Sequence, residues 1–153
     1  MNNLLKTITL LLFGFIPLIL FTTSNQNSEA MNEKSSVLIH LTQGPENPTV
    51  AALAFLVART AVEEGHSVTL FLAGDAVQLM REGVLEHLNG LGTGSLKEHY
   101  EILANAGCEF YLSGMSSNSR ELTDEQVKGK NVTFASPRVL VELAMEHEKM
   151  FVY

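Results

Sequence analysis

The sequence predicts an α/β protein built as a three-layer α/β/α sandwich around a mostly parallel sheet of about five strands. Short apolar runs alternate with longer segments of helical periodicity from residue 36 to residue 153. A strand, a helix and a strand at this spacing make a right-handed βαβ connection nearly obligatory. The apolar content of 46% and the charged content of 18% are typical of a globular chain, and 153 residues allow one domain with a real core.

The first 30 residues have the pattern of an export signal. A long apolar run, Ile8–Phe21, precedes a polar segment that ends in a small-residue cleavage signature at Ala30. The run is shorter than the roughly 20 residues of a membrane-spanning helix, which favours a cleaved signal over a permanent anchor. We therefore expect a periplasmic or secreted protein, with residues 31–35 as a flexible lead-in and residues 36–153 as the domain. Membrane contact is expected only through an uncleaved signal segment.

The first βαβ unit follows directly. Ser36–Leu41 is a continuous apolar run, typical of a strand buried on both faces. Asn47 and Pro48 predict a helix start, with the Asn47 side chain able to cap, and the apolar stripe continues to about Glu64. His66–Leu72 then supplies the second strand, with apolar side chains in alternation.

The middle of the chain is less regular. Ala76–Glu82 predicts a short helix, and the glycines of the segment Gly83–Gly94 predict a flexible loop. Ser95 and Glu98 fit a capping box for a helix that ends at about Ala106.

The last third of the chain predicts two more helices and two more strands. Thr123 and Gln126 fit a second capping box for a helix of one or two turns. Three further elements follow: a strand at Asn131–Ala135, a helix from Ser136 to about Lys149, and a short closing strand at Phe151–Tyr153.

The stretch Gly107–Leu122 is the predicted site. Its apolar strand residues begin at Cys108, alternate with more polar ones, and run at Ser113 into a loop rich in Ser, Gly and Asn before Arg120. In open α/β sheets, ligands bind outside the carboxyl ends of the strands. Ser113 should lie at that end of the strand and Cys108 at the other.

Composition excludes several classes of function. The net charge of −7 and the lack of a Lys/Arg stripe argue against nucleic-acid binding. One cysteine cannot form an internal disulfide, and neither a CxxC nor an HExxH motif accompanies the five scattered histidines. We therefore expect no metal and no cofactor, and a small neutral ligand or a protein partner instead.

Seven residues near the carboxyl ends of the predicted strands are candidate binding residues: Gly44, Asn47, Gly74, Asp75, Ser113, Gly114 and Arg120. Each glycine is also explained by a turn that needs positive φ. Asp75 could orient a ligand, but we favour a helix cap for it. Arg120 could bind an anion or pair across a subunit interface, and an ion pair with Glu121 or Asp124 is an equal alternative.

From Ser36 to Tyr153 the sequence resembles the DsrE/DsrF-like sulfur-relay superfamily. The resemblance rests on TQGP at residues 42–45, on GHSVTLFLAGDAV at residues 65–77, and on the Gly, strand, small-residue loop and Arg120 order of the predicted site. It implies a flavodoxin-like fold and a homo-oligomer, either a trimer or a hexamer, or assembly with a paralogue.

The resemblance also implies a difference in chemistry. In the sulfur-carrying members, a cysteine at the end of the third strand holds sulfane sulfur as a persulfide. Aligning Gly107 and Arg120 with that pattern places Ser113 at the cysteine position, and a hydroxyl cannot hold a persulfide. Our leading hypothesis is therefore a non-catalytic relative that binds a small ligand or forms an oligomer.

Two alternatives remain open. One is a thiol-based sulfur carrier or redox protein using Cys108, which requires that thiol to be exposed and to have a lowered pKa. At about 3.3 Å per strand residue, Cys108 should lie roughly 16 Å from Ser113 and point to the opposite face, so a structural role is favoured. The other alternative is a structural subunit of a hetero-oligomer with an active, cysteine-bearing paralogue.

Overall fold

The computed structural model describes residues 34–153. The predicted signal segment and residues 31–33 of the lead-in lie outside the described residues. Within residues 34–153, no helix is both long enough and apolar enough to cross a bilayer.

The first half of the described chain contains a βαβ unit followed by short elements. In order these are β1 (Ser36–Leu41), α1 (Pro48–Glu63), β2 (Ser67–Leu72), a 3₁₀ helix (Gly74–Met80), α2 (Glu82–His87), the two strands of a small hairpin, β3 (Asn89–Gly90) and β4 (Gly94–Ser95), and α3 (Leu96–Asn105).

The second half continues the alternation of strands and helices. It comprises β5 (Glu109–Ser113), α4 (Gly114–Ser119), a second 3₁₀ helix (Asp124–Val127), β6 (Val132–Ala135), α5 (Pro137–Glu146) and β7 (Lys149–Val152).

Five parallel strands form the central sheet in the order β6-β5-β2-β1-β7. The chain steps outward from β1 through β2 and β5 to β6, then returns to place β7 on the far side of β1. Because parallel crossovers are right-handed, the outward steps put α1 and α3 on one face, and the return step puts α5 on the other. The predicted α/β architecture with a mostly parallel sheet is confirmed.

The two faces of the sheet are covered unequally. The face under α1 and α3 carries the larger core, in which Phe55 of α1 stacks on Phe110 of β5 with ring centroids 6.2 Å apart. The opposite face is covered by α5, through a small buried cluster that includes Leu38, Phe71 and Leu143. A ten-residue helix cannot cover five strands, and among the described residues Met150 and Val152 of β7 are 40% and 64% exposed on this face.

The segment Gly83–Gly94 contains regular elements, so the prediction of a loop was wrong. It forms α2 and the hairpin, which packs on the start of α1. The Leu91 amide donates to Thr49 Oγ1 at 3.1 Å. A Cβ added at Gly90 would lie 2.8 Å from the Ala52 Cβ, so this glycine permits close packing of the hairpin.

Two of the predicted helix caps are present and a third is not. Ser95 Oγ accepts from the Glu98 amide at 3.4 Å, and the Thr123 amide donates to Gln126 Oε1 at 3.0 Å. Asn47 occupies the N-cap position of α1 but makes no side-chain cap bond. Its amide instead donates to the Gln43 side chain at 3.5 Å.

Candidate functional site

The loops after β1 and β2 interlock at the carboxyl edge of the sheet. Gly44 is buried against the second loop, where an added Cβ would lie 2.5 Å from the Asp75 carbonyl oxygen. The Ala76 amide donates to the Thr42 carbonyl at 3.2 Å. The two loops are therefore in close contact, and only a glycine fits between them.

A network of two serines ties the loop after β2 to the end of β5. Ser116 Oγ accepts from the Gly74 amide at 2.9 Å and donates to Ser113 Oγ at 3.1 Å. The Ser116 amide also donates to Ser113 Oγ, at 3.3 Å, so Ser113 caps α4. We call Gly74, Ser113 and Ser116 the serine corner.

The serine corner has no feature of a nucleophilic site. Ser113 is 9% exposed, and its oxygen already has two partners. Among residues 34–153, no histidine or carboxylate hydrogen-bonds to either hydroxyl, although a serine nucleophile needs such a base. Here the Ser113 hydroxyl positions α4 and the loop after β2.

An ion pair closes the outer side of this corner. Arg120 Nε lies 2.8 Å from Asp75 Oδ1, and Gln78 Nε2 donates to the same oxygen at 3.2 Å. The hydrogen bond from Arg120 lowers the pKa of the Asp75 carboxyl below its usual value. Arg81 in turn donates to the Arg120 carbonyl. These contacts connect the segment after β2, which contains Asp75 and Arg81, to Arg120 at the end of α4.

Two sequence-based interpretations are corrected by this geometry. Asp75 was expected to cap the following helix, but Ala73 is the N-cap residue there and the Asp75 carboxylate binds Arg120. For Arg120, an ion pair with Glu121 or Asp124 was one of the alternatives that the sequence left open. Arg120 instead pairs with Asp75 because β2 and β5 are neighbours in the sheet, so their following loops meet.

The structure brings together six of the seven candidate residues: Gly44, Gly74, Asp75, Ser113, Gly114 and Arg120. The backbone amide of Asn47 donates to the Gly44 carbonyl at 3.1 Å, but the Asn47 side chain lies at the start of α1 and donates to Gln43, away from the other five residues. The Gly74 amide and the side chains of Asp75, Ser113 and Arg120 are already bonded within this group or to Ser116. These residues therefore form the wall of a site more readily than its ligand-binding groups.

A cleft of about 400 Å³ opens beside this wall, between the ends of β5 and β6. Its volume lies within the range of small-molecule pockets. The residues that line it are Gly114, Asn118, Leu122, Thr123, Asp124 and Phe134, and we call it the β5–β6 cleft. Leu122 and Phe134 form its apolar part. Asn118 and Asp124 are exposed, and neither side chain has a hydrogen-bond partner in the described chain.

Sequence reasoning missed Asn118, Leu122 and Phe134 as cleft residues. Their common location depends on β6 lying next to β5, which is a property of the strand order. The local signal that was available was the Thr123–Gln126 capping box, which fixes the turn that follows Leu122.

Cys108 lies at the opposite end of β5, one residue before the strand. Its side chain packs in the core under α1 and α3 and is 5% exposed, although a surface cleft of about 310 Å³ borders it. Burial raises the pKa of the Cys108 thiol. A raised pKa disfavours the thiolate, which is the reactive form of cysteine.

Three of the histidines, His40, His99 and His147, are at least partly buried. His99 Nε2 lies 2.7 Å from the Thr93 carbonyl oxygen, and His147 lies between the Leu143 carbonyl and Thr69 Oγ1, at 2.7 Å and 3.1 Å. Burial lowers the pKa of His40. Across residues 34–153, no group of three or more His, Cys, Asp or Glu side chains is placed to hold a metal ion.

Comparison with known proteins identifies the family. The sequence profile of the DsrE/DsrF-like family matches residues 35–153. A search of curated protein sequences finds no significant match.

Two solved structures share the fold. The ychN protein from E. coli is 19% identical, with a TM-score of 0.64 over 78% of this chain and 99% of its own. A conserved protein of unknown function from Bacteroides thetaiotaomicron, BT1422, is 12% identical, with a TM-score of 0.53 over 80% of this chain and 98% of its own. At these identities the likeness concerns the fold alone. By the match over residues 35–153, the chain belongs to the DsrE/DsrF-like family.

Proposed function

We propose that this protein is an exported, non-catalytic member of its family that binds a small ligand in the β5–β6 cleft and assembles with further subunits. The observation that supports the absence of sulfur transfer is the Ser113 hydroxyl. It lies where the resemblance places the sulfur-carrying cysteine, and it is occupied as the cap of α4. Cys108 cannot replace it, because that thiol is buried at the other end of the strand.

The sulfur-transfer part is tested with a soluble polysulfide as the sulfane-sulfur donor. The mature protein, which begins at Met31, is incubated with the donor and desalted. Its mass is then measured by mass spectrometry under non-reducing conditions. We expect no added sulfur in the folded protein, and added sulfur on Cys108 only when urea is present during the incubation. A stable persulfide on the folded protein would show that it carries sulfur.

The chemistry of the cleft suggests the class of ligand. Phe134 and Leu122 offer an apolar surface, and Asp124 offers a carboxylate without a partner in the described chain. The chain as a whole has a net charge of −7. A small molecule with an apolar body and an amine or hydroxyl donor fits these groups, and an anion does not.

Benzylamine is a suitable probe, because its ring can contact Phe134 while its ammonium group binds Asp124. We expect chemical-shift changes in the amide spectrum that centre on Gly114, Leu122 and Phe134, whereas benzoate should leave these signals unchanged. Asp124→Asn should weaken benzylamine binding about tenfold, the usual scale of one charge-assisted hydrogen bond. Glu125→Gln is the matched control, since Glu125 is exposed and lies outside the cleft. Equal binding by both variants would exclude this site.

Export is proposed from the apolar run Ile8–Phe21 and the cleavage signature at Ala30. Expression of the complete chain in a bacterial host, followed by fractionation and amino-terminal sequencing, tests it. We expect the extracytoplasmic fraction to contain a chain that begins at Met31. An intact amino terminus in the cytoplasmic fraction would contradict export.

A further inference from the structure

The strand order leaves β7 without a helix on the α1 face of the sheet. The crossover helix α1 joins β1 to β2 and lies over those strands, whereas β7 continues the sheet beyond β1. Val37, in the core under α1, is level with Lys149, so the Lys149 side chain lies on the α1 face. Phe151, two residues further along the strand, lies on the same face. The outer flank of α1 and the uncovered face of β7 therefore enclose a groove.

This groove has the dimensions of a small-molecule site. Its volume is about 350 Å³, within the range of ligand pockets. Val37 and Phe151 contribute to its floor. Its wall is one row of side chains along α1, at the spacing i, i+3, i+4 and i+7: Val57, Thr60, Ala61 and Glu64. We call it the α1–β7 groove.

The groove has a polar end and an apolar end. A helix that joins two parallel strands runs antiparallel to them, so α1 ends at the amino edge of the sheet, where β1, β2 and β7 begin. Glu64, His66 and Lys149 all lie at that edge. Val57, at the other end of the wall, is seven residues before Glu64, which is about 10 Å along the helix. A ligand that fits this groove has a polar head and an apolar tail.

Two hydrogen-bond donors at the polar end have no partner among residues 34–153. One is the Lys149 ammonium group. The other is on His66, whose Nδ1 accepts from the Ser35 amide at 3.2 Å, so the proton of the neutral ring is on Nε2. Glu64 already has an interaction of its own. The head group that fits this end is therefore an acceptor, and the charge of Lys149 favours an anionic one.

The apolar surface of the groove suits a small molecule better than a protein. Phe151 is the one large apolar side chain that β7 exposes on this face, and it is 45% exposed. That fraction is about 90 Å² for an aromatic side chain, far below the apolar area of a specific protein interface. An alkyl chain needs less surface, because the floor and the wall contact it on two sides.

We propose that the α1–β7 groove binds a monocarboxylate with an unbranched alkyl chain, for which octanoate is the probe. The carboxylate accepts from Lys149 and His66, and the chain lies along the wall of α1 toward Val57 and Phe151. This second site goes beyond the proposed function. The groove lies at the amino edge of the sheet beside β7, whereas the β5–β6 cleft lies at the carboxyl edge on the opposite side of the sheet.

The charge of the head group is the part of the proposal most open to contradiction. The negative end of the α1 dipole and the Glu64 carboxylate lie at the same end of the groove, and both favour a cation. Octylamine has the same chain as octanoate and the opposite charge, so a comparison of the two measures which influence is stronger. Octanol, with the same chain and no charge, reports on the apolar part alone.

Titrations followed in the amide spectrum of the mature protein test the site. We expect octanoate to shift the signals of Ala61, His66 and Phe151 and to leave those of Gly114 and Phe134 unchanged. Affinity should rise about threefold for each methylene from butanoate to octanoate, since the groove buries most of each added group. At these signals octanoate should bind at least about tenfold more tightly than octylamine. Tighter binding of octylamine, or no shift with octanoate, would overturn the proposal.

Lys149→Met removes the charge and keeps most of the side-chain length. We expect octanoate to bind this variant about tenfold more weakly, the scale of a charge-assisted hydrogen bond, and octanol to bind it as it binds the wild-type protein. Lys149→Arg should retain octanoate binding. Lys130→Met is the matched control, since Lys130 also has no side-chain partner in the described chain and lies outside the groove. Equal octanoate binding by the two methionine variants would contradict the role of Lys149.

Ala61→Leu tests the path of the alkyl chain. Leucine is a good helix former, and at this position its side chain occupies the middle of the groove. We expect at least about a tenfold loss of octanoate binding, with benzylamine binding at the β5–β6 cleft unchanged, which also shows that the variant is folded. Unchanged octanoate binding would exclude this path. If the signals of Ala61 and Phe151 shift on dilution without ligand, a second copy covers the groove and the proposal is wrong.

Discussion

The two ends of β5 differ in how well they would stabilise a thiolate, which is the form of cysteine that reacts with sulfur donors. At the carboxyl end, Ser113 lies where three loops converge, and its oxygen has two polar partners. At the amino end, Cys108 is surrounded by apolar side chains of the core. A thiolate would be stabilised by donors at the first position and destabilised by burial at the second. The thiol of this chain therefore lies at the buried end of the strand, which supports the proposal that the protein does not carry sulfur.

The position of the cysteine in the fold is therefore more informative about thiol chemistry than its presence in the sequence. The composition, with one cysteine, is compatible with a thiol carrier. The fold separates that cysteine from the loops at which ligands of open α/β sheets bind. The comparison of the two ends can be sharpened or broken by four measurements, ordered here from the largest expected effect to the smallest.

The largest effect is the protection of Cys108 from a maleimide reagent. Because the thiol is buried and its pKa is raised, we expect the folded protein to react at least about 100-fold more slowly than the protein in urea. Leu91→Cys in a Cys108→Ala background, with its thiol at the exposed hairpin tip, is the control and should react equally fast in both conditions. Fast labelling of Cys108 in the folded protein would show that the amino end of β5 does not protect its thiol.

The tight packing between the loops after β1 and β2, at the carboxyl edge of the sheet, is tested by Gly44→Ala. The new methyl group would meet the Asp75 carbonyl at 2.5 Å, and backbone cannot yield as a flexible side chain can. We expect the free energy of unfolding in urea to fall by about 1–3 kcal/mol. Gly83→Ala, inside α2 with no neighbour within 4 Å of the added Cβ, should leave the free energy unchanged or raise it slightly. Equal stability of both variants would mean that the interlocked loops yield easily.

Local features of this fold could be predicted from the sequence. The apolar runs of β1 and β2, the Ser95–Glu98 cap and the place of Ser113 at a strand end each depend on a few adjacent residues, and the structure confirms them. The partner of Arg120 could not be predicted, because it depends on which strands are neighbours. The Gly83–Gly94 hairpin was missed for a related reason. Its glycines permit contact with α1, a distant segment, whereas local reasoning treats glycine as flexibility.

The location of the candidate site could be predicted from the sequence, but most of the residues that line its cleft could not. Six of the seven candidate residues meet because the carboxyl ends of parallel strands meet at the same edge. The lining of the β5–β6 cleft and the apolar edge at β7 depend on the strand order, which no short pattern in the sequence encodes.

A thiol introduced at the carboxyl end should behave differently from Cys108. In Ser113→Cys, combined with Cys108→Ala, the Ser116 amide and hydroxyl can donate to a thiolate and lower its pKa. We expect maleimide labelling at neutral pH to be at least about tenfold faster than that of wild-type Cys108, together with uptake of sulfur from polysulfide. Ser119→Cys, on the exposed end of α4, is the control for an ordinary thiol. If the labelling rate of Ser113→Cys rises with pH at the same midpoint as that of Ser119→Cys, the serine corner does not stabilise a thiolate.

The smallest effect concerns the ion pair between Asp75 and Arg120, beside the carboxyl end of β5. Arg120 lowers the pKa of folded Asp75 below its ordinary value of 3.8, so the unfolded chain binds the proton more tightly than the folded one. The stabilisation is therefore present above pH 3.8 and is lost as the pH falls below that value toward the lowered pKa. We expect the urea midpoint of the wild-type protein to fall in this range more steeply than that of Asp75→Asn. Asp124→Asn removes a carboxylate that has no ion pair in the described chain, and it should retain the wild-type pH dependence. If the two variants have the same pH dependence, the Asp75–Arg120 contact adds nothing to stability, and the loops are held by the serine corner and the Gly44 packing.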